Sequence, residues 1–147
     1  MRLLPSIFLA LLVGAGTAFA QDDDLPDAQD LADAAAKRFP QPVRVGDLLG
    51  RFVLEPVESM PTLGRVREVA RLADGSIVIV MDYGGFFGFV ARLIAVPVNG
   101  MALLGQVIEV IDFEPGQLAK FPSFNPAGSK ILPPGAIIRV GLVRPSH

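Results

Sequence analysis

The sequence predicts a mainly β fold: a small β-barrel with one helix before the barrel strands and one short helix after them. Short apolar segments separated by turn residues fill residues 43–111. The run at residues 77–81 is apolar on both faces, which is typical of a strand in the middle of a sheet. Helical patterns are confined to an Ala-rich stretch near the N-terminus and to a short segment at residues 117–121.

The N-terminal segment, residues 1–20, has the pattern of a secretory signal peptide. Arg2 supplies the positive start, and residues 7–13 are all apolar. Ala18 and Ala20 form a small-x-small cleavage site, so we expect cleavage after Ala20 and a periplasmic or secreted chain without a membrane span. The alternative is a retained signal that anchors the chain, but its apolar core is shorter than the roughly 20 residues of a spanning helix.

The composition excludes several kinds of functional site. The 147 residues include no Cys and a single His, which is His147. Disulfides, thiolate nucleophiles, Cys-ligated zinc and His-based catalytic triads are therefore excluded. A formal net charge of −2 without a basic stripe argues against nucleic acid as a partner. The length fits one domain.

An acidic leader at residues 21–42 precedes the predicted barrel. Its six Asp and its Ala-rich centre predict a helix that Asp24 caps, with Pro26 in the first turn and Pro40 beyond the last turn. Residues 40–42 then form a stiff, extended Pro linker. Cation binding by the Asp run is the alternative, but a calcium loop needs a tight Gly turn and a bidentate Glu, and this segment has neither.

Periodicity also predicts the strands and turns of the body. Turns are expected at residues 73–75, 99–100 and 105–106. A short helix capped by Glu114 is expected at residues 117–121, before a loop at residues 122–135. The last strand must pair with an open edge or lie exposed. The predicted strands cover residues 43–45, 47–54, 63–72, 76–83, 92–98, 101–104, 107–111 and 136–143.

Two motifs in this body resemble the signature of the PRC-barrel domain family. Residues 83–88, Tyr-Gly-Gly-Phe-Phe-Gly, match its glycine-rich turn after a hairpin, and residues 95–98, Ala-Val-Pro-Val, match its following strand. Supporting segments lie at residues 45–50, 63–69 and 111–114. The resemblance covers residues 43–124, and residues 125–147 follow as a loop and a C-terminal strand.

This resemblance implies a small β-barrel of the type found in the photosynthetic reaction centre H subunit and in ribosome maturation factors. Members of the family generally act by binding or assembly. The chain departs from the family pattern at residues 89–92, Phe-Val-Ala-Arg, where the family often has a second Gly and charged residues. The tip of the turn is therefore more apolar than usual. Glu114 also replaces the usual Thr cap before the closing helix.

The glycine-rich segment has a structural and a functional interpretation. Gly84, Gly85 and Gly88 allow the backbone to reverse, and Pro97 is expected to be structural as well. Three aromatic residues beside these glycines can either plug the end of the barrel or grip a partner. These residues are Phe86, Phe87 and Phe89.

Three arginines also form a candidate patch. Arg65, Arg67 and Arg71 fall at offsets of two and four on one predicted strand, so they are expected to share one face. Such a face can bind an anion or a partner, or it can simply keep an edge strand soluble.

Three carboxylates are the remaining acid–base candidates: Asp82, Glu109 and Asp112. The sequence shows no spacing that brings them together, and a structural or solvated role is favoured for each.

We therefore expect a non-catalytic exported module, without metal or cofactor, that binds an envelope protein or a second copy of itself. The expected contact surface combines the aromatic tip with Arg65 and Arg67. One alternative is a small-ligand or metal-binding module that uses the carboxylates or the acidic leader. The other is a carboxylate-based hydrolase that uses Asp82 or Asp112.

Overall fold

The computed structural model describes residues 25–55, 57, 59–84, 91–114 and 116–143. Several predicted features lie outside these residues. They are the signal peptide at residues 1–20, the helix cap at Asp24, and the turn and contact residues Gly85, Phe86, Phe87, Gly88 and Phe89.

The described residues form four short helical segments and nine strands. The α-helices are α1 (Ala28–Ala36) and α2 (Val45–Leu48), and the 3₁₀ turns are Val98–Gly100 and Leu118–Lys120. The predicted mainly β fold is confirmed. The strands are β1 (Gln41–Arg44), β2 (Phe52–Leu54), β3 (Thr62–Arg71), β4 (Ile77–Tyr83), β5 (Arg92–Pro97), β6 (Met101–Leu104), β7 (Val107–Val110), β8 (Lys130–Ile131) and β9 (Ile137–Leu142).

These nine strands belong to one mixed sheet. The order of hydrogen-bonded strands is β1-β9-β6-β7-β2-β3-β4-β5, and β8 pairs with the C-terminal end of β3. The pairs β2–β7 and β6–β9 are parallel, and the other pairs are antiparallel. In the described residues, the path ends at β1 and β5, and these two strands do not pair with each other.

One main apolar core lies inside the curved sheet. Val53, Val69, Ile79, Ile94 and Ile108 come from five different strands, and each is 0% exposed. Because β5 and β9, near opposite ends of the path, contribute to the same cluster, the sheet must curve around it. Full burial of one such side chain stabilises the fold by about 1.5–3 kcal/mol.

Strand β4 is buried on both faces, as its apolar run predicted. Ile79 and Met81 lie in the main core, whereas Val78 and Val80 lie in a second cluster on the other face. Phe124, from the loop after the second 3₁₀ turn, packs against this second cluster. β4 also pairs with β3 on one side and β5 on the other, so it lies in the interior of the sheet.

The β3–β4 hairpin turns where the sequence predicted. Gly75 has a φ of 89°, a left-handed value that glycine adopts without a steric cost. The Asp74 carboxylate accepts hydrogen bonds from the backbone N–H and the hydroxyl of Ser76, at 2.9 and 2.6 Å. This local turn fixes the register of the two longest strands.

A β-bulge in β3 changes which arginines share a face. The register between β3 and β4 shifts between Val66 and Glu68, which leaves Arg67 as the extra residue. The alternation of side chains moves by one residue at this point. Arg65 and Arg67 consequently line one depression, whereas Arg71 lines another. The prediction that all three arginines share one face is therefore wrong.

Residues 45–48 form the helical turn α2 and not part of a strand. The Leu49 N–H donates to the Val45 carbonyl at 3.3 Å, and Val45 and Leu48 are both buried. Their spacing of three residues places both side chains on the same side of a helical turn, toward the core. The strand predicted at residues 47–54 is therefore shortened to β2.

The beginning of α1 also differs from the prediction. The Asp27 carboxylate accepts a hydrogen bond from the Asp30 N–H at 2.7 Å, so Asp27 is the N-cap. Leu31 is the buried residue of this helix. The predicted Pro linker at residues 40–42 belongs in part to β1, which pairs with β9.

An ion pair between Arg38 and Asp112 joins the segment after α1 to the segment after β7. The Arg38 guanidinium donates to both carboxylate oxygens of Asp112, at 2.6 and 2.7 Å. It also donates to the Asn99 carbonyl at 3.2 Å. Asp112 therefore has a structural role in the fold.

The C-terminal part of the chain completes the sheet. β9 pairs with β1 on one side and β6 on the other, so it does not lie at an open edge. Strand β8, which the sequence did not predict, lies within the loop expected at residues 122–135. The late helix is a 3₁₀ turn with Gln117 as its N-cap, so the predicted Glu114 cap is wrong. The Glu114 N–H instead donates to the Gln117 side chain at 2.6 Å.

Replacing Gly64 by Ala should destabilise the contact between β3 and β4. A Cβ at position 64 would lie 1.6 Å from the Asp82 backbone oxygen, so the two strands would have to separate. We expect the free energy of unfolding to fall by about 3 kcal/mol, as in severe overpacking. Urea denaturation followed by circular dichroism measures this change. Gly135→Ala is the matched control, since nothing lies within 4 Å of its added Cβ. An equal loss in both variants would show that the close approach is unimportant.

Candidate functional site

Asp82 organises a charged surface beside the first half of β3. Its Oδ1 accepts a hydrogen bond from the Arg65 backbone N–H at 2.6 Å. Its Oδ2 accepts two hydrogen bonds from the Arg67 guanidinium, from Nε at 2.8 Å and from Nη2 at 2.5 Å. One carboxylate on β4 thus holds both the backbone and a cation of the neighbouring strand.

Two backbone features of β3 accompany this contact. Arg67 is the extra residue of the bulge, and bulges commonly redirect a side chain away from the regular ladder. Gly64 has no Cβ, which lets the Asp82 backbone oxygen come close to β3. The ion pair therefore depends on local irregularity in β3, whose pairing with β2 also shifts in register, between Val53 and Leu54.

The pKa of the Asp82 carboxyl lies below its usual value. Partial burial raises this pKa, but the hydrogen bonds from the Arg65 N–H and the Arg67 side chain, together with the Arg67 charge, lower it by more. The Asp82 side chain is 19% exposed but that of Arg67 is 56% exposed, so water screens much of the attraction between the two charges. The carboxylate is ionised at neutral pH and stabilises the folded state in that form.

Arg65 and Phe52 form the second part of the surface. They are directly paired across β2 and β3, and the guanidinium carbon lies 4.3 Å from the centroid of the Phe52 ring. Phe52 is 42% exposed, and Arg65 is exposed as well. A cation over an exposed aromatic ring contributes about 0.5–1 kcal/mol, so the pair is an ordered feature of the surface.

These groups line a depression of about 280 Å³. The chain leaves β4 at Gly84, whose φ of 79° is a left-handed value that glycine adopts readily. It re-enters the described part of the structure at Ala91, which also lines the depression. The aromatic tip is thus connected to this site along the chain. We define the Arg65 surface as Phe52, Thr62, Arg65, Arg67, Asp82 and Ala91.

Of the predicted contact residues, Arg65 and Arg67 belong to the described part of the structure. Arg65 and Arg67 lie side by side, as expected. Pro97 ends β5, where it pairs with Val78 and is half-buried. Phe52 was not a predicted contact residue, because no sequence pattern indicates which residue will face it across the sheet.

The three candidate carboxylates do not converge. Asp82 binds Arg67, and Asp112 binds Arg38. Glu109 lies on β7, and the depression beside Asp82 is lined by neither Glu109 nor Asp112. In the described part of the chain, no group of three or more His, Cys, Asp or Glu is placed to hold a metal ion.

Comparisons with known proteins do not show a family. No protein-family model matches the chain, and no curated protein matches it. The resemblance to the PRC-barrel domain therefore stays a prediction. None of the helices in the described residues is both long enough and apolar enough to span a bilayer.

Replacing Asp82 by Asn should weaken the fold and change its response to acid. Asn keeps an acceptor for the Arg65 N–H but loses the charge that holds Arg67, so we expect a loss of about 1–2 kcal/mol at pH 7. The pKa of Asp82 is lowered in the folded state. Its contribution is therefore complete above the unfolded-state value of about 3.9 and is lost as the pH falls through the folded-state pKa. The variant should lose less stability than the parent on acidification from about pH 5 to pH 2.

Thermal unfolding over this pH range measures the difference. Asp47→Asn is the matched control, because Asp47 is exposed and its side chain makes no hydrogen bond with the described residues. If the pH profiles of Asp82→Asn and the parent have the same shape, Asp82 does not have the assigned electrostatic role.

Proposed function

We propose that this chain is a non-catalytic binding module of the bacterial cell envelope that docks a second protein through the Arg65 surface. The observation that carries this proposal is the exposed pair of Arg65 and Phe52, 4.3 Å apart, beside an arginine held by Asp82. Arginine and aromatic residues are enriched at interfaces and among the residues that dominate binding energy. Here they lie on strands, which keeps their positions well defined.

The side chains of the Arg65 surface are ordered before any partner arrives. Two hydrogen bonds to Asp82 fix Arg67, and the ring of Phe52 supports Arg65. Immobilising a flexible side chain on binding costs about 0.5–1.5 kcal/mol. Prior ordering lowers this cost and therefore favours docking.

The charge of the surface selects an acidic partner. Asp82 balances the charge of Arg67, whereas Arg65 has no carboxylate partner within the described residues. A carboxylate on the partner can accept hydrogen bonds from the Arg65 guanidinium, while an apolar side chain covers Phe52. The partner is thus an envelope protein, or a second copy of this chain, with an acidic and apolar contact patch.

The same proposal includes three further points: the aromatic tip, which is Phe86, Phe87 and Phe89, takes part in docking; the chain is exported; and it belongs to the PRC-barrel family. Phe86, Phe87 and Phe89 lie in sequence between Gly84 and Ala91, and Ala91 lines the depression. The signal-like pattern of residues 1–20 supports export. The resemblance to the PRC-barrel domain supports a role in binding or assembly.

The carboxylates support binding over hydrolysis. A carboxylate pair that hydrolyses a bond needs both groups at that bond, but Asp82 and Asp112 bind different arginines. A carboxyl that acts as a general acid also needs a raised pKa, and the pKa of Asp82 is lowered.

Phe52→Ala and Arg65→Ala should each reduce capture of the partner at least tenfold, which corresponds to about 1.4 kcal/mol. The tagged, exported chain is cross-linked in cells and captured, and the attached proteins are identified and quantified by mass spectrometry. Lys130→Ala is the matched control, because it removes an exposed cation on β8, beside the other end of β3. Sedimentation of the purified chain at several concentrations tests for a second copy.

Equal recovery of the same protein by the parent and by both variants would rule out docking at the Arg65 surface. Phe87→Ala tests the tip separately. Normal folding with weaker capture supports its role in docking, whereas unfolding would show that the tip belongs to the core.

A further inference from the structure

A groove lies beside α1, near the opposite end of β3 from the Arg65 surface. Its walls come from α1, the β3–β4 hairpin, the end of β5 and the start of β9, and its volume is about 610 Å³. β5 is one end of the sheet path, and β9 is the neighbour of the other end, β1. The groove, which we call the α1 groove, therefore lies where the path of the sheet does not close.

The main core reaches the surface in the α1 groove. Leu31, Val98 and Ile138 line it and are 6%, 7% and 6% exposed, whereas most other core residues are at most 1% exposed. Ile137, also in its wall, is 67% exposed, the highest value among the exposed large hydrophobic residues of the described structure. The apolar surface that the groove presents to solvent therefore comes from Ile137 and from the half-buried Leu72 and Ile77, above nearly buried core residues.

Arg71 places a positive charge in the wall of this groove. Its side chain is exposed and makes no hydrogen bond or ion pair with the described residues. The Asp74 carboxylate also lines this groove, and its Oδ1 accepts two hydrogen bonds from Ser76. Arg139, another lining residue, donates one hydrogen bond to the Pro40 carbonyl at 2.8 Å, and a guanidinium has five N–H donors.

We propose that the α1 groove binds a small amphiphilic anion, which is a molecule with an apolar body and a single carboxylate or similar acidic head. The apolar body buries surface against Ile137, Leu72 and Ile77. The head accepts charge-assisted hydrogen bonds from Arg71. This site is separate from the Arg65 surface, so it does not depend on the function proposed for that surface.

The size of the groove favours a small molecule over a protein. Sites for small ligands have volumes of about 300–1,000 Å³, and the volume of the α1 groove lies within this range. A stable protein interface uses about 20–30 residues on each side, which is more than line the groove. Two arginines, Arg71 and Arg139, and one carboxylate, Asp74, line the groove, so its net charge is positive and favours an anion over a neutral lipid.

Decanoate is a suitable probe for this site. Titration into the full chain, followed by calorimetry and by ¹H–¹⁵N shifts, should show saturable binding with the largest shifts at Leu31, Ile77 and Ile137. Arg71→Gln should weaken binding about tenfold, as expected for the loss of one charge-assisted hydrogen bond. Arg65→Gln is the matched control, because it removes an exposed arginine of the same strand from the other surface, and it should change the affinity less than twofold.

Further titrations distinguish the contribution of the acidic head of the ligand from that of its apolar body. Decanol, which lacks the charge, and acetate, which lacks the apolar chain, should each bind at least tenfold more weakly than decanoate. Ile137→Ser should weaken decanoate severalfold without changing thermal unfolding, because the side chain is mostly exposed. Arg71→Lys, which keeps the charge, should retain more affinity than Arg71→Gln.

Three results would overturn the proposal. The first is non-saturable, detergent-like binding. The second is an affinity that is unchanged in Arg71→Gln or equally reduced in Arg65→Gln. The third is decanol binding as tight as that of decanoate, which would show a purely apolar site.

Discussion

The bulge between Val66 and Glu68 is the constraint on which both surfaces of the molecule depend. In a regular strand, Arg65 and Arg71 would have the same parity, because side chains alternate with a period of two. One extra residue reverses this relation. The strand therefore presents Arg65 and Arg67 to one depression and Arg71 to the α1 groove. A single irregularity of the backbone divides the charge of one strand between two sites.

Asp82 and Gly64 compensate for this irregularity on the side of β4. The Asp82 carboxylate binds the Arg65 N–H and the side chain of the bulged Arg67, and Gly64 leaves room for the Asp82 backbone oxygen. Most of the fold is stabilised by apolar burial, but this part of the sheet uses charge and hydrogen bonding at a partly exposed position. The same polar contacts that stabilise the bulge order the arginines of the surface.

Features set by neighbours in the sequence could be predicted, and features set by distant segments could not. The apolar run of β4 and the turn at Gly75 are local patterns, and the structure confirms both. Residues 45–48 form α2 because Val45 and Leu48 must both reach the core, and β8 forms only because β3 offers it an edge. Neither requirement is visible in a short window of sequence.

In the candidate site, too, local features could be predicted from the sequence and contacts between distant segments could not. Arg65 and Arg67 could be predicted from their spacing on one strand. The partner of Arg67 could not, because the pairing with Asp82 depends on the register of β3 and β4 and on the bulge within it. Phe52 could not be predicted as the support of Arg65 either, since the register of β2 decides which side chains face each other.

The position of β9 determines how late the sheet is completed during synthesis. β9 separates β1 from β6, and Arg139 binds the carbonyl of Pro40, 99 residues away in the chain. Contacts between such distant segments form slowly, because much chain entropy is lost before they are made. Until β9 is in place, β1 and β6 each expose an unpaired edge to other nascent chains. A chain cut short before β9 would therefore leave β6 with an open edge and β1 without a partner strand.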